Sequence, residues 1–514
     1  IGIQNFEKIR KEGYLYVDKT ALIYQMVKTG SYYFLSRPRR FGKSLLVSTL
    51  EAYFQGKEEL FEGLAMEKLE QDWLEYPILH LDLNAERYSE ASSLDSILQR
   101  HLNLWEDTWG KDEREKTLSD RFIGVIRRAK ARSGRRVVIL VDEYDKPILD
   151  VLDYDKDLEE EHRNILKGFY STFKGADEYL QFVFLTGVTK FSQVSVFSGF
   201  NQPKDISMHA KYETLCGISQ AEFEHYFRES VGQMADDYGC AFDEMMNMLK
   251  LQYDGYHFSD RMTDVYNPFS LLNAFDSGRI YDYWFKSGTP TYLIRLLAHS
   301  NENMNEITGK YYSPEEFIDY KASVEQSLPM IYQSGYLTIK EFDMEERTFL
   351  LDFPNNEVKR GFLTMVASSY FDKIETAAWI RKAASQLKKG ELDDFCTGLT
   401  SFLASIPYTM RRKENEREKE RYFHYTFYLI MRLISVYTVY TEKVQSQGRV
   451  DCIVETPNYV YIFEFKLDGT AAEAMRQIEE KGYAKEYGAD TRKLYQIGAV
   501  FSSETGTIEE WIVR

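Results

Sequence analysis

At 514 residues the chain exceeds one ordinary hydrophobic core, so roughly two to four domains are expected. Its 44% apolar and 15% aromatic content, with only 11 prolines, describes folded globular sequence, and no stretch approaches the ~20 apolar residues of a membrane span. The formal charge of -17 argues against indiscriminate coating of nucleic acid while leaving room for a local basic groove. The four cysteines, Cys216, Cys240, Cys396 and Cys452, are too far apart for a disulfide framework or a local zinc site and fit a reducing cytoplasm.

The first residues, Ile1 to Asp18, mix charged and apolar groups and do not read as a secretory signal. Tyr32 to Leu35 is a short apolar run that meets a loop containing Pro38 and Gly42, and helix-compatible residues follow to Phe54, which predicts strand, loop and helix. Val137 to Val141 is uninterrupted and β-branched, as expected of a strand covered on both faces, and Phe182 to Leu185 repeats that character before Thr186 and Gly187. These segments predict an α/β domain with a parallel sheet.

From about Gly217 the pattern turns helical, with Tyr253-Asp254-Gly255-Tyr256 and Tyr266-Asn267-Pro268 as turn signals, which predicts a helical lid. Val324 to Tyr332 then reads as a helix, Tyr336 to Phe342 and Thr348 to Phe353 as paired strands, and Asn356 onward as another helix. That order resembles a winged-helix module. It lacks a dense basic helix, so a structural or protein-contacting wing stands beside a DNA-binding one. The alternating charges from Arg411 to Arg421 read as a solvated helix face near a domain boundary, ahead of a final strand-rich block. His257 and His424 read as hydrogen-bonded structural residues.

An ATP site needs main-chain N-H groups converging on phosphate oxygens, a cation for the outer phosphates and a hydroxyl for Mg²⁺. Arg37-Pro38-Arg39-Arg40-Phe41-Gly42-Lys43-Ser44 offers all three between a strand and a helix. Arg39, Arg40, Phe41 and Gly42 form the loop, Lys43 reaches the β and γ phosphates, and Ser44 is a Mg²⁺ ligand. Arg37 stands where the general pattern GxxxxGK[ST] has its first glycine, so the first turn of the loop must differ. Asp142, at the end of the Val137 strand, is the second Mg²⁺-holding residue, and Glu143 is placed to polarise attacking water. Thr186 or Thr189 sits where a γ-phosphate sensor belongs, though a loop-capping hydroxyl reads equally well.

Tyr16-Val17-Asp18-Lys19-Thr20, Ser36 to Ser44, Val141 to Asp145, Tyr253 to Phe258, Tyr266-Asn267-Pro268 and Trp284-Phe285-Lys286-Ser287-Gly288-Thr289-Pro290 together resemble a bacterial AAA-ATPase-like family whose members carry a C-terminal nuclease-like domain. The resemblance runs over nearly the whole chain. In that family the Arg-rich loop without its first glycine is usual.

Near the C-terminus, period-two alternation over Tyr461 to Lys466 puts Glu464 and Lys466 on one face of a strand. Asp451, separated from Glu464 by twelve intervening residues and a turn at Pro457-Asn458, faces them from the preceding strand. An acidic pair converging on Mg²⁺ with a nearby cation is what metal-assisted phosphodiester hydrolysis requires. Followed by a helix from Ala471 to Tyr483, this pattern resembles the PD-(D/E)XK nuclease fold. The resemblance implies Asp451 and Glu464 as metal ligands, Lys466 as the residue that positions the nucleophilic water, and Gln477 as a supporting residue. A plain salt bridge between Glu464 and Lys466 is the competing reading. Glu479-Glu480-Lys481 has the same spacing in an expected helix, and Val450 replaces the usual proline.

The expected architecture is α/β: an AAA-like P-loop ATPase domain with a parallel sheet over 1–215, a helical lid over 216–320, a winged-helix-like connector over 321–405 and a restriction-endonuclease-like domain over 406–514. The expected function is a cytoplasmic, ATP- and Mg²⁺-dependent protein whose nucleotide cycle controls a nuclease. The alternative is a nucleotide-driven switch whose last domain binds a partner or nucleic acid without cutting. DNA and RNA both stay open as substrate, as does a homo-oligomer; no membrane partner is expected.

Overall fold

The computed structural model describes residues 1–84, 86–152, 154–190, 203–287, 307–318, 327–371, 376–404 and 451–514, with residues 430, 444–445 and 448–449. The chain divides into two compact units, Ile1–Val358 and Lys359–Arg514. The division falls inside the segment read as a winged-helix-like connector.

The first unit is organised by strands β1 (Tyr32–Ser36), β2 (Ile78–Asp82), β3 (Val137–Asp142), β4 (Leu180–Gly187) and β5 (Lys204–Asp205). They form one parallel sheet in the order β2-β3-β4-β1-β5. All six residues of β3 are buried, because helices shield both faces of a parallel sheet and no solvent side remains to alternate with. The order places β4 between β1 and β3, so the loop after β1 and the acidic end of β3 face each other across the end of β4. Helices Leu118–Ser133 and Lys156–Gly175 lock together through Phe122 and Phe169, stacked with centroids 4.2 Å apart.

The lid region pairs the short strands β6 (Ile218–Ser219) and β7 (Val265–Tyr266) and packs helices Gln220–Tyr226, Arg228–Tyr238, Phe242–Tyr253 and Pro268–Ser277 around Phe223, Val231, Leu249, Tyr253, Tyr266 and Leu271. Each residue of Tyr266-Asn267-Pro268 has its own task. Tyr266 fills the core, the Asn267 side chain caps the amides of Phe269 and Ser270, and Pro268 opens the helix where its missing N-H costs nothing.

Next come β8 (Lys310–Tyr312), β9 (Thr338–Asp343) and β10 (Thr348–Asp352), an antiparallel sheet in the order β8-β10-β9, with helices Leu328–Gln333 before the hairpin and Asn356–Phe371 after it. The helix, hairpin, helix order was legible in the sequence. The three-residue β8 was not, being too short to display a period of two. Part of the helix expected from Val324 lies outside the described residues.

In the second unit β11 (Val444–Gln445) and β12 (Gly448–Arg449) form a small hairpin, and β13 (Cys452–Glu455), β14 (Tyr459–Leu467), β15 (Lys493–Phe501) and β16 (Ile508–Val513) form a sheet in chain order. Only the β14–β15 pair is parallel, and the helix Ala471–Lys481 crosses between those two strands. Thr470 and Glu473 close a capping box at its start, and its Ala474, Met475 and Ile478 pack on Ile453, Val460 and Ile462. Gly498 on β15 permits this close approach, since a Cβ there would lie 2.6 Å from the Ala471 carbonyl. The Arg411 to Arg421 run, His424, Val450 and residues 288–290 lie outside the described residues. No helix among the described residues is long and apolar enough to cross a membrane.

Candidate nucleotide and metal sites

The missing first glycine of the phosphate loop has a structural answer. The Arg37 amide still donates to the Gly187 carbonyl at 3.2 Å, so the β1–β4 ladder runs one residue past Ser36 and the position needs no left-handed turn. The Arg37 side chain is buried beneath the loop, donating to the carbonyls of Ser36 and Ser207, with its guanidinium 4.0 Å from the Phe258 ring centroid. Phe41 is buried edge-on against Tyr256 and Phe258, and the Arg39 carbonyl accepts from the Trp284 indole at 3.0 Å. Pro38 lies against Gly335, where a Cβ would meet its ring at 2.6 Å. Motifs hundreds of residues apart therefore hold one loop from below.

Arg40 (φ 69°) is exposed, with its guanidinium 4.9 Å from the Phe269 ring centroid. Gly42, at φ 92°, opens the helix Lys43–Phe54. Lys43 is buried, with Nζ 3.1 Å from the Arg37 carbonyl, 3.3 Å from that of Pro38 and 3.4 Å from Glu143 Oε1. Burial, and then the neighbouring Glu143 charge, push the Asp142 carboxyl at the end of β3 up to about 6 against the lowering influence of the Ser44 hydroxyl, and among the described residues its Oδ1 has no partner. Glu143 follows with φ 54°, a conformation rare for a residue with a Cβ and commonest at functional turns.

The two threonines separate cleanly. The Thr189 hydroxyl donates to Asp145 at 2.7 Å, and the same carboxyl accepts from the Thr189 amide at 2.6 Å and the Val188 amide at 3.0 Å. Thr186, at the end of β4, is fully buried and among the described residues its Oγ1 has no partner. Thr189 is thus committed to the turn, whereas Thr186 leaves a hydroxyl without a described partner between the loop and the acidic strand end. Buried, unsatisfied oxygens on Asp142 and Thr186 beside a helix N-terminus and a lysine fit a Mg²⁺-nucleotide, because such atoms are costly until something ligates or donates to them.

Sequence reasoning missed the wall on the other side of Gly42. A largely apolar cavity of about 300 Å³ opens there, lined by Tyr16, Val17, Leu45, Cys216, Gly217 and Pro268 among others. It suits a flat heteroaromatic base. The signal was Tyr16-Val17-Asp18-Lys19-Thr20, which the sequence offered as a motif without a role. Asp18 accepts from the Thr20 and Ala65 amides, and Lys19 pairs with Glu222 at 2.5 Å, so the motif clamps the segment forming that wall.

In the second unit Asp451, Glu464, Lys466 and Gln477 converge. Asp451 Oδ2 accepts from the Phe465 amide at 2.8 Å, its own amide lies 3.5 Å from Glu464 Oε2, and Lys466 Nζ is 3.8 Å from Glu464 Oε1 and donates to Gln477 Oε1. Pairing of Cys452 with Phe463 sets this register. Glu464 is only 1% exposed, so its contact with Lys466 is not one between two surface side chains. Burial first, and then the Asp451 charge, push its carboxyl up to about 8. Two carboxylates this close, one of them buried, make a donor set that fits a divalent metal held by Asp451 and Glu464. Among the described residues no cluster of three or more His, Cys, Asp or Glu joins them. His257 is structural, bonded to the Ile339 carbonyl and to Asp264.

Residues 1–197 match the AAA-ATPase-like family, described as predicted AAA-ATPase, and residues 418–511 match the PD-(D/E)XK nuclease superfamily. A protein of Azotobacter chroococcum mcd 1, described as an uncharacterized protein in the vnfD 5' region, is 34% identical across 100% of this chain and 98% of its own length. The phosphate loop and acidic strand end lie within the first match and the Asp451–Gln477 cluster within the second, giving the chain ATPase and nuclease potential. The chain belongs to the AAA-ATPase-like family, with a C-terminal domain of the PD-(D/E)XK nuclease superfamily.

Proposed function

We propose that the N-terminal unit binds and hydrolyses ATP with Mg²⁺, and that this cycle controls Mg²⁺-dependent phosphodiester cleavage of DNA or RNA by the C-terminal site. The observation that carries the first half is the buried Asp142, with one oxygen unpartnered and the other group of the pair, Ser44, at the start of the loop helix. Lys43 and the loop amides of Arg39 to Gly42 hold the phosphates, Ser44 and Asp142 hold the metal, Glu143 orients water and Thr186 reports on the outer phosphate. Bound nucleotide and Mg²⁺ supply the phosphoanhydride and the charge that polarises it.

In the C-terminal site Asp451 and Glu464 bind the metal, Lys466 orients the attacking water and Gln477 fixes Lys466. The tip of the β9–β10 hairpin carries Asp343, Glu345 and Glu346 against Arg347, which speaks against that hairpin as a nucleic-acid contact.

The test is cleavage of labelled single- and double-stranded DNA and RNA with Mg²⁺, with and without ATP. Loss of cleavage in Asp451→Ala, and loss of its ATP dependence in Lys43→Ala, is expected. ATP turnover that requires Lys43 while no substrate is ever cut would sink the nuclease half and favour a nucleotide-driven switch whose last domain only binds.

A further inference from the structure

A charged side chain lies beneath the phosphate loop with no counter-ion against it. Arg37 is 1% exposed. Its Nη1 donates to the carbonyls of Ser36 at 2.9 Å and Ser207 at 2.6 Å, its Nη2 donates to that of Tyr212 at 3.4 Å, and its Nε has no partner. Among the described residues no carboxylate is ion-paired with it. The acids that act on it from a distance, Asp205 and Glu213, are engaged elsewhere: Asp205 with Lys190 at 2.7 Å, Glu213 with the hydroxyls of Ser259 and Thr263.

Burying an arginine without a carboxylate is costly, and carbonyl dipoles and the face of Phe258 offset only part of that cost. An arginine does not escape by losing its proton. Net positive charge therefore remains in a medium where fields are weakly screened. The neighbouring cavity, lined by Arg37, Pro38, Lys190 and Gln333 among others, has only about 30 Å³, room for about one water and not for a phosphate. The Arg37 carbonyl also receives the Lys43 ammonium at 3.1 Å, so the buried charge belongs to the residue that seats the phosphate lysine.

We propose that Arg37 is a specificity-determining residue for phosphate charge: a fixed cation that acts through the loop and strengthens binding in proportion to the negative charge of the polyphosphate. This rests on the nucleotide reading above. It also gives the non-glycine residue at the loop's first position a purpose beyond filling space. If Arg37 served only to tie the loop to the 207–212 segment, its loss would weaken every nucleotide alike.

The test is calorimetric binding of ATP, ADP and AMP to the full chain without Mg²⁺, in wild type, Arg37→Met, Arg37→Lys and Lys43→Ala. The ATP-to-AMP affinity ratio should fall ~10-fold or more in Arg37→Met while AMP binding changes less than ~3-fold, and Arg37→Lys should hold the ratio within ~3-fold of wild type. Equal weakening of all three nucleotides by Arg37→Met, or an unchanged ratio, overturns the proposal. Should Arg37→Met fail to fold by circular dichroism, Arg37→Lys decides: a preserved ratio supports the role of charge, and a collapsed ratio overturns it. Wild type that binds none of the three, or Lys43→Ala that binds ATP as wild type does, would take the nucleotide reading down and this inference with it. Loss of ATP binding in Lys43→Ala beside an unmoved ratio in Arg37→Met sinks the inference alone.

Discussion

The two candidate centres use the same parts, a buried strand carboxylate, a lysine and a helix, yet burial acts on their acids differently. Asp142 is pushed up to about 6 and Glu464 to about 8. Both lose hydration. Each has a like charge beside it, Glu143 for Asp142 and Asp451 for Glu464; Asp142 recovers part of the loss from the Ser44 hydroxyl and the Lys43 charge, and Glu464 from Lys466, at 3.8 Å, and the Asp451 amide. On the proposed reading, Lys43 and a helix N-terminus preorganise the first site, and a metal would neutralise the paired acids of the second.

The largest expected effect would break this comparison if it failed. Glu464→Gln should lower Mg²⁺-dependent cleavage by ~100-fold or more, because a metal ligand is lost, while ATP turnover stays within ~3-fold. The same variant should melt higher than wild type without metal above about pH 4.5, since the buried acid resists the ionisation that the unfolded chain gains there. Asp142→Asn should show the mirror pattern in phosphate release. A Glu464→Gln protein that cuts normally would return the Glu464–Lys466 pair to a structural role.

Glu357 sharpens the comparison as a control, being a buried carboxyl with no proposed metal. It is 1% exposed, accepts from the Trp284 amide at 2.7 Å, and is pushed up to about 8 by burial. Its folded-state value lies above its unfolded one, so its contribution to stability is complete below about pH 4.5 and is lost as pH rises through about 8. Glu357→Gln keeps the acceptor and removes the titration. The variant's stability advantage in urea melts should grow to a few kcal/mol, as an order of magnitude, between about pH 5 and about pH 9. A flat difference would mean that burial alone does not raise such acids here, and would weaken the account of Glu464 as well.

These contrasts also explain what the sequence could and could not reveal. The strand, loop and helix around Lys43, the β3 strand with Asp142, and the Asp451, Glu464, Lys466, Gln477 set were legible because each is a local pattern: uninterrupted apolar runs for covered strands, period two for β14, and a loop of fixed spacing. What holds the phosphate loop was not legible. Phe41 rests on Tyr256 and Phe258, Arg39 on Trp284 and Pro38 on Gly335, pairings that only the three-dimensional chain path creates. The cavity beside Gly42 stayed hidden for the same reason, its walls coming from chain-distant residues such as Tyr16, Leu45, Cys216, Phe227 and Pro268. Thr186 and Thr189 were interchangeable in sequence, and only Asp145, itself raised to about 6 by burial, tells them apart.

That distinction can be measured. Thr189→Val removes a donor to the fully buried Asp145 and should cost ~1–3 kcal/mol of stability. Thr186→Val replaces a hydroxyl that bonds to nothing in the described residues, so its stability should change by less than ~0.5 kcal/mol while ATP turnover drops several-fold. Thermal melts and phosphate release on the two variants separate the roles. Equal loss of stability would mean that Thr186 is a packing residue and not a sensor.

The last contrast concerns the lysines. Lys43 is held by two main-chain carbonyls, which no substitution can remove, as well as by Glu143, whereas Lys466 is held by side chains, a hydrogen bond to Gln477 and the Glu464 carboxyl at 3.8 Å. The hydrogen bond of the second can be removed by mutation. Gln477→Ala leaves Lys466, whose side chain is 31% exposed, free to reorient toward solvent, so kcat for cleavage should fall ~10-fold with KM for the nucleic acid nearly unchanged. Gln477→Glu retains an acceptor for the ammonium and should recover much of kcat, at the expense of adding a third acid near Asp451 and Glu464. If KM rises and kcat holds instead, Gln477 contacts substrate directly, and the water-orienting role of Lys466 needs no support from the helix.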